Sequence, residues 1–506
     1  MGAGPGDAFF GRSRAGAAGT ARGERPRGRL FAQARFVMDA GPGGALFGRS
    51  RAGAAGAARG EGPRGRLCAQ ARFAVDVAPG GAFSGNSRAG AAGTARGECP
   101  RGRLFAQARF SVDVAPEGAF SGNSRGAPGR GRSVYGGSML SVYIHIPFCK
   151  SKCPYCDFYS ASPREESALE QYEKAVCARL FSYGEKYGHP AVGTVYFGGG
   201  TPSVFGAERL CRVLGAVRAA FRISADAEIT AECNPGDVDA AFFETLRAGG
   251  FNRISMGMQS ANADELRVLG RRHDAETVCR AVEAARAAGI RNLSLDLMLA
   301  LPHSTCDTLA RSVDFCASLG ADHVSAYILK IEPGTAFAAR AASLGLPDED
   351  GAADQYLFAV ERLQALGYRQ YEISNFARPG FESRHNLQYW RCGEYLGLGP
   401  AAHSFVGGRR FYFPRDLAGF LAGGTPVDDG PGGAFSEYAM LALRLTEGLR
   451  REDCVRRFAD GGEQYEAVRR AAARLPKNLI AAGDARVALT AEGFLVSNAV
   501  LAEILP

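Results

Sequence analysis

The sequence is short of several things. Among 506 residues there is one tryptophan, Trp390, and no run of 18 apolar residues. The second absence excludes a bilayer-spanning helix, and no secretory signal precedes the first motif. The 13 cysteines are too few for a disulfide scaffold in a chain of this length. Most are scattered: Cys177, Cys211, Cys279 and Cys316 fall in stretches of helical spacing and are expected as small buried hydrophobes. The remaining clustered thiols suit a reducing cytoplasm. Lysine is missing from residues 1–138, where 21 arginines and 8 acidic residues give a net charge of +13. The whole chain carries +8, so residues 139–506 carry −5. The basic balance belongs to the first segment, and the remainder has no electrostatic footprint for nucleic acid.

That first segment repeats itself. "AFFGRSRAGAAGTARGERPRGRLFAQARF" starts at Ala8, near-copies start at Ala45 and Ala82, and a truncated fourth starts at Ala119, a period of 37 residues. Gly, Ala and Arg dominate, and so few large apolar residues cannot offset the entropy of ordering the backbone. Disorder is therefore expected over 1–138. A basic nucleic-acid-binding tail or a transit peptide are functional readings of this composition. The reading preferred here is a tandem DNA repeat translated upstream of the true start, because Met139 directly precedes "LSVYIHIPFC", where globular patterning begins.

From there the pattern alternates. Apolar, β-branched segments at 141–146, 194–200, 228–233, 253–259, 293–299 and 323–329 predict strands. Helical spacing occupies 165–187, 207–220, 237–249, 275–288 and 305–319 between them. Strands alternating with helices imply an α/β class with a parallel sheet covered by helices. In such folds the chemistry gathers at the C-terminal ends of the strands.

The first strand end carries "FCKSKCPYCDF". Cys149, Cys153 and Cys156 lie within eight residues, with Phe158 two residues after the last and no fourth cysteine nearby. Three thiolates on a short loop suit an iron–sulfur cubane, since soft ligands disfavour calcium and magnesium. A structural zinc would want a fourth ligand, for which His145 stands near enough in sequence. A cubane held by three cysteines leaves one iron open to a small molecule, as catalytic metals often are. The second strand ends in "FGGGTPS" (197–203), where glycines let a backbone approach a ligand closely.

Together these motifs resemble the radical S-adenosylmethionine superfamily. The resemblance implies a [4Fe-4S] cluster whose open iron chelates the methionine moiety of S-adenosylmethionine, and reductive release of a 5′-deoxyadenosyl radical. "AECNPG" (231–236), "GFNRISMGMQS" (250–260) and "LDLMLALP" (295–302) narrow the likeness to the oxygen-independent coproporphyrinogen III oxidase family. That family implies a partial (β/α)6 TIM-like barrel over 139–375 and a smaller helical or winged C-terminal region over 376–506. It also implies S-adenosylmethionine contacts at Tyr143, Tyr155, Gly199, Gly200, Thr201, Glu232, Gln259, Arg271 and Asp296. Carboxylates suit ribose hydroxyls or an ammonium, and Arg271 suits a carboxylate.

Two branches divide this family. The decarboxylating oxidases carry a further cysteine where Phe158 stands, and a substrate-covering segment before the first strand that the repeats do not resemble. "RHNLQYW" (384–390) is similar instead to the HNxxYW motif of the haem-chaperone branch. That likeness implies haem contacts at His385, Tyr389 and Trp390, apo-haemoproteins as acceptors, and an electron donor. His385 can ligate iron and the aromatics can line a macrocycle, or the histidine can be a satisfied polar group among core aromatics. His403 is a second possible ligand. No catalytic residue is singled out, and the cluster can serve assembly or electron transfer instead of radical chemistry. One position departs from the family pattern: Ala300 replaces a glycine, which is tolerable unless the backbone there needs positive φ.

Overall fold

The computed structural model describes residues 139–162 and 165–505; the repeats, and what was expected of them, lie outside the described residues. Six parallel strands form its centre: β1 (Leu140–Ile146), β2 (Ala191–Gly199), β3 (Arg222–Cys233), β4 (Arg253–Gln259), β5 (Asn292–Leu299) and β6 (His323–Ile328). Their side chains divide by the period of two that a pleated strand imposes. Val142, Ile144 and Ile146 on β1, with Ile254, Met256 and Met258 on β4, are buried in the apolar layer beneath the helices. The alternate residues are polar and aligned across the sheet: Thr194 pairs with Ser141 and Glu228, and Ser294 with Ser255 and His323. The sheet has an oily outer face and a polar inner one, which suits a barrel enclosing a ligand.

Predicted and observed elements agree closely. The helix expected from 237 begins at Ala240, because Pro235–Asp237 forms a 3-10 turn and the Asp239 side chain caps the helix by accepting from Phe242 N–H. A proline at the entry cannot donate, and an aspartate at the cap satisfies one of the orphan N–H groups.

The sheet extends beyond these six strands, which the sequence reading did not foresee. Short strands β7 (Arg369–Gln370), β8 (Asn375–Ala377), β9 (Tyr395–Leu398), β10 (His403–Val406), β11 (Arg409–Tyr412) and β12 (Val427–Pro431) bring it to twelve, in the order β12-β11-β10-β9-β1-β2-β3-β4-β5-β6-β8-β7. β9 runs parallel to β1, so the segment after 376 contributes to the same sheet as the segment before it. The sheet ends at β12 and β7, leaving an open, partial barrel. A smaller unit follows: β13 (Leu449–Arg450), β14 (Ile480–Ala482) and β15 (Arg486–Leu489) form an antiparallel sheet with the helices Arg451–Arg457, Gly461–Ala472 and Ser497–Ile504, a winged arrangement.

Six described non-glycine residues have positive φ, and two of them matter here. Ala300 has φ 55°, so alanine stands in place of glycine where positive φ is required, at a cost of about 1 kcal/mol. Gln259 has φ 68° at a register shift against β5. Of the scattered cysteines, Cys316 is buried as expected, while Cys177, Cys211 and Cys279 are only half-buried. Among the described residues no helix is long and apolar enough to cross a membrane.

Candidate cluster and ligand cavity

β1 delivers the cysteine loop to the top of the barrel. There a cavity of about 380 Å³ opens, lined by Cys149, Cys153 and Cys156 together with Glu232, Gln259 and Asp296. This is the range of small-molecule sites. All three cysteines are free. Among the described residues no three His, Cys, Asp or Glu side chains converge on a single ion; a cubane takes one thiolate per iron, so its ligands need not converge. Burial pushes the Cys156 thiol up to about 11, so a metal there must displace a proton. His145 is not available as a fourth ligand in this arrangement. Its Nε2–H donates to the Tyr159 carbonyl at 3.0 Å, and its Nδ1 lies 3.1 Å from the Tyr143 hydroxyl.

The glycine run passes directly beneath the cysteine loop. Gly200 N–H donates to Ile146 O at 2.8 Å and Thr201 N–H to Phe148 O at 2.7 Å, while Thr201 Oγ1 lies 3.4 Å from Cys149 Sγ. A Cβ on Gly200 would stand 2.7 Å from Phe148 O and 2.8 Å from Ile146 O. Gly199 has φ 109°, and a Cβ there would meet the His145 ring at 2.5 Å. Neither position accepts a side chain, so the loop presents bare backbone to the cavity.

Charged groups complete the wall. The Arg271 guanidinium is held by Asn234 Oδ1 at 2.6 Å and Gly257 O at 2.7 Å and reaches Cys153 Sγ at 3.7 Å, while its Nε–H is buried with no hydrogen-bond partner. The carbonyl that holds it belongs to the irregular end of β4, so the strained Gln259 backbone and the arginine are set by one feature, a bulge of the kind that re-aims side chains at sites. Gln259 Oε1 accepts from Tyr327 O–H at 3.0 Å. Glu232 accepts from Tyr196 O–H at 2.7 Å and from Gly199 N–H at 3.2 Å; Asp296 accepts from Ser255 O–H at 3.1 Å. Burial pushes Glu232 up to about 7 and Asp296 to about 6, against the lowering effect of those hydrogen bonds and of the buried Arg253. Tyr155 also lines the cavity, its phenol raised by burial.

Residues expected from the sequence therefore meet in one place, with exceptions. Tyr143 does not line the cavity; it stacks on Tyr196 with ring centroids 6.2 Å apart. In the helix Arg384–Trp390, Trp390 and Asn386 face the cavity, but His385 and Tyr389 do not. His385 is 1% exposed and bonded at both nitrogens, to Thr194 Oγ1 at 2.7 Å and Tyr389 Oη at 2.8 Å. As placed, it offers no free lone pair to iron, which departs from the expected haem contact. His403 stacks on Tyr412 away from the cavity. Phe158 is 45% exposed at the cavity mouth. The sequence reading missed Tyr196, Asn234, Arg253, Ser255 and Tyr327. Strand alternation would have found four of them, all but Asn234, since "TVYFG", "RISMG" and "HVSAYI" each place polar residues at every second position.

The chain resembles known proteins over most of this region. Residues 143–316 match the family model of the radical SAM superfamily. The haem chaperone HemW of Mycobacterium tuberculosis is 39% identical over 381 residues, covering 73% of this chain and 95% of that protein. HemW of Escherichia coli is 40% identical over 289 residues, covering 56% of this chain and 76% of its own length. Among solved structures, coproporphyrinogen III oxidase (HemN) of Escherichia coli, described as a radical SAM enzyme, superposes with a TM-score of 0.64 at 24% identity, covering 74% of this chain and 91% of that one. The last likeness establishes a shared fold.

Proposed function

This chain belongs to the HemW family of haem chaperones within the radical SAM superfamily, and from that premise we propose that it binds haem and passes it to apo-haemoproteins. The observation that carries the reading is kinship with HemW along nearly that protein's whole length. Cys149, Cys153 and Cys156 would hold a [4Fe-4S] cluster. That cluster, when bound and reduced, supplies an electron and one iron position that no cysteine fills. The cradle fits S-adenosylmethionine: bare backbone at Gly199–Thr201 for close approach, Arg271 with an unsatisfied Nε–H for the carboxylate, and Glu232, Gln259 and Asp296 for ammonium and hydroxyl groups. Trp390 and Asn386 give the HNxxYW helix a place on the same cavity wall. An electron donor is required for the cluster. A cytoplasmic setting suits free thiols.

The second reading is oxidative decarboxylation of coproporphyrinogen III, and the shared fold keeps it in view. Phe158 speaks against it, because a cysteine stands there in the oxidases. One experiment separates the two. Haem-loaded protein mixed with an apo-haemoprotein should transfer its Soret absorbance to the acceptor, and anaerobic protein with reductant and S-adenosylmethionine should leave coproporphyrinogen III unchanged. Protoporphyrinogen formed with stoichiometric 5′-deoxyadenosine would reverse the assignment.

The raised carboxyls give a pH signature. Without ligand, Glu232 is largely protonated at pH 6.5 and Asp296 partly so. S-adenosylmethionine is cationic at its sulfonium and ammonium, and a nearby cation favours the carboxylate form. Binding should therefore release protons, up to about one per chain near pH 6.5 and almost none above pH 8. Calorimetry in buffers of different ionisation enthalpy reads this directly, and Glu232→Gln should remove most of it.

A further inference from the structure

The HNxxYW helix does something that a haem contact does not explain. Arg384 and His385 N–H groups both donate to the Glu228 carboxylate at 3.0 Å, which seats the helix N-terminus on the inner face of β3. Thr194 donates its single hydroxyl proton to Ser141 at 2.7 Å. It can therefore only accept from His385, which fixes the proton on Nδ1 and leaves Nε2 to accept the Tyr389 O–H. The imidazole is locked at both ends, across a sequence separation of 191 residues at one of them.

The locked ring has a neighbour. Thr194, Tyr196 and Gly198 share the inner face of β2, two residues apart. The His385 ring stacks on Tyr196 with centroids 5.0 Å apart and planes at 25°, and Tyr143 lies against Tyr196 as well. So held, Tyr196 aims its O–H at Glu232 Oε1, 2.7 Å away. Gly198 keeps that path clear: a Cβ there would stand 2.9 Å from the Tyr196 ring and 3.0 Å from Glu232 Oε1. The other Glu232 oxygen takes the Gly199 N–H, so the carboxyl orientation is set wholly by β2 and by what packs on it.

We propose that His385 is a positioning residue for the S-adenosylmethionine site, acting through Tyr196 on Glu232, and is not the haem-iron ligand. The proposal rests on the reading that this cavity binds S-adenosylmethionine. A link of this kind predicts non-additivity: once the Tyr196 hydroxyl is gone, His385 has nothing left to position.

The test is a double-mutant cycle on anaerobically reconstituted protein, with S-adenosylmethionine affinity measured by equilibrium dialysis and haem binding by Soret titration. His385→Ala and Tyr196→Phe should each weaken S-adenosylmethionine binding by about tenfold, and the double variant should be no weaker than Tyr196→Phe alone. The Soret position of bound haem should be the same in His385→Ala as in wild type. Should His385→Ala fail to fold, Thr194→Val removes the Nδ1–H acceptor and should lower the affinity in the same direction, again without effect in the Tyr196→Phe background. Additive losses, or a Soret shift lost with affinity for S-adenosylmethionine intact, would overturn the proposal. Wild-type protein that holds haem but no S-adenosylmethionine would instead remove the reading beneath it.

Discussion

Replacing any one of Cys149, Cys153 or Cys156 with alanine should take the anaerobically reconstituted protein from about four irons per chain to less than about one. The reason is the economy of the site. Among the described residues, the cavity is offered three thiolates from one eight-residue loop, and His145, the nearest alternative, is engaged at both nitrogens. A cluster with two protein ligands has half its irons exposed to solvent and exchange. The fold should survive, because the loop contributes little to the apolar layer under the helices. Iron and sulfide analysis with far-UV circular dichroism separates loss of cluster from loss of structure. Retention of nearly full iron in any of the three variants would place the cluster elsewhere.

Gly200→Ala should be nearly as damaging by a different route. The added methyl would lie under 3.0 Å from Phe148 O, Ile146 O and Phe148 N. All three are backbone atoms at the end of β1, so no side chain can swing away. Overpacking of this kind costs about 1–3 kcal/mol, and the relief available is to push the cysteine loop out of place. The expected result is a lowered Tm together with cluster loss and a drop of more than about tenfold in S-adenosylmethionine affinity. Gly206→Ala is a useful control of the opposite kind: Gly206 has φ 95° where Gly200 has no positive φ, and a Cβ there meets only the Arg209 side chain at 3.6 Å. It should carry backbone strain without the loss of ligand. Equal cluster loss at both positions would mean that the close approach at Gly200 is not what decides.

How much of this could be read from residues alone differs by element. The six central strands were legible because β-branched runs such as "SVYIHI" are separated by long helical stretches, and both signals are local. The short strands β7–β12 were not, since segments of two to five residues carry no periodicity to detect. They are strands because β1 and β6 leave open edges to pair with. The cysteine loop and glycine run were legible as motifs, and the structure places them against one another through Thr201 and Phe148. The positive φ at Gln259 was invisible, since it arises from a register shift against β5. At Ala300 a methyl matters only where the backbone takes positive φ, and there it does. His385 shows the limit most clearly. Its residue type suggests a ligand, yet Thr194, Tyr389 and Tyr196 decide what its nitrogens and ring face can do, and two of those three lie far away in the sequence.

The claim on which the account rests is an open iron at the mouth of this cavity. Electron paramagnetic resonance of the reduced wild-type protein, recorded before and after addition of S-adenosylmethionine, tests it directly. The account predicts a [4Fe-4S]+ signal whose g-values and line shape change when the ligand is added. An unchanged spectrum, or protein that carries one zinc and no sulfide, would contradict it.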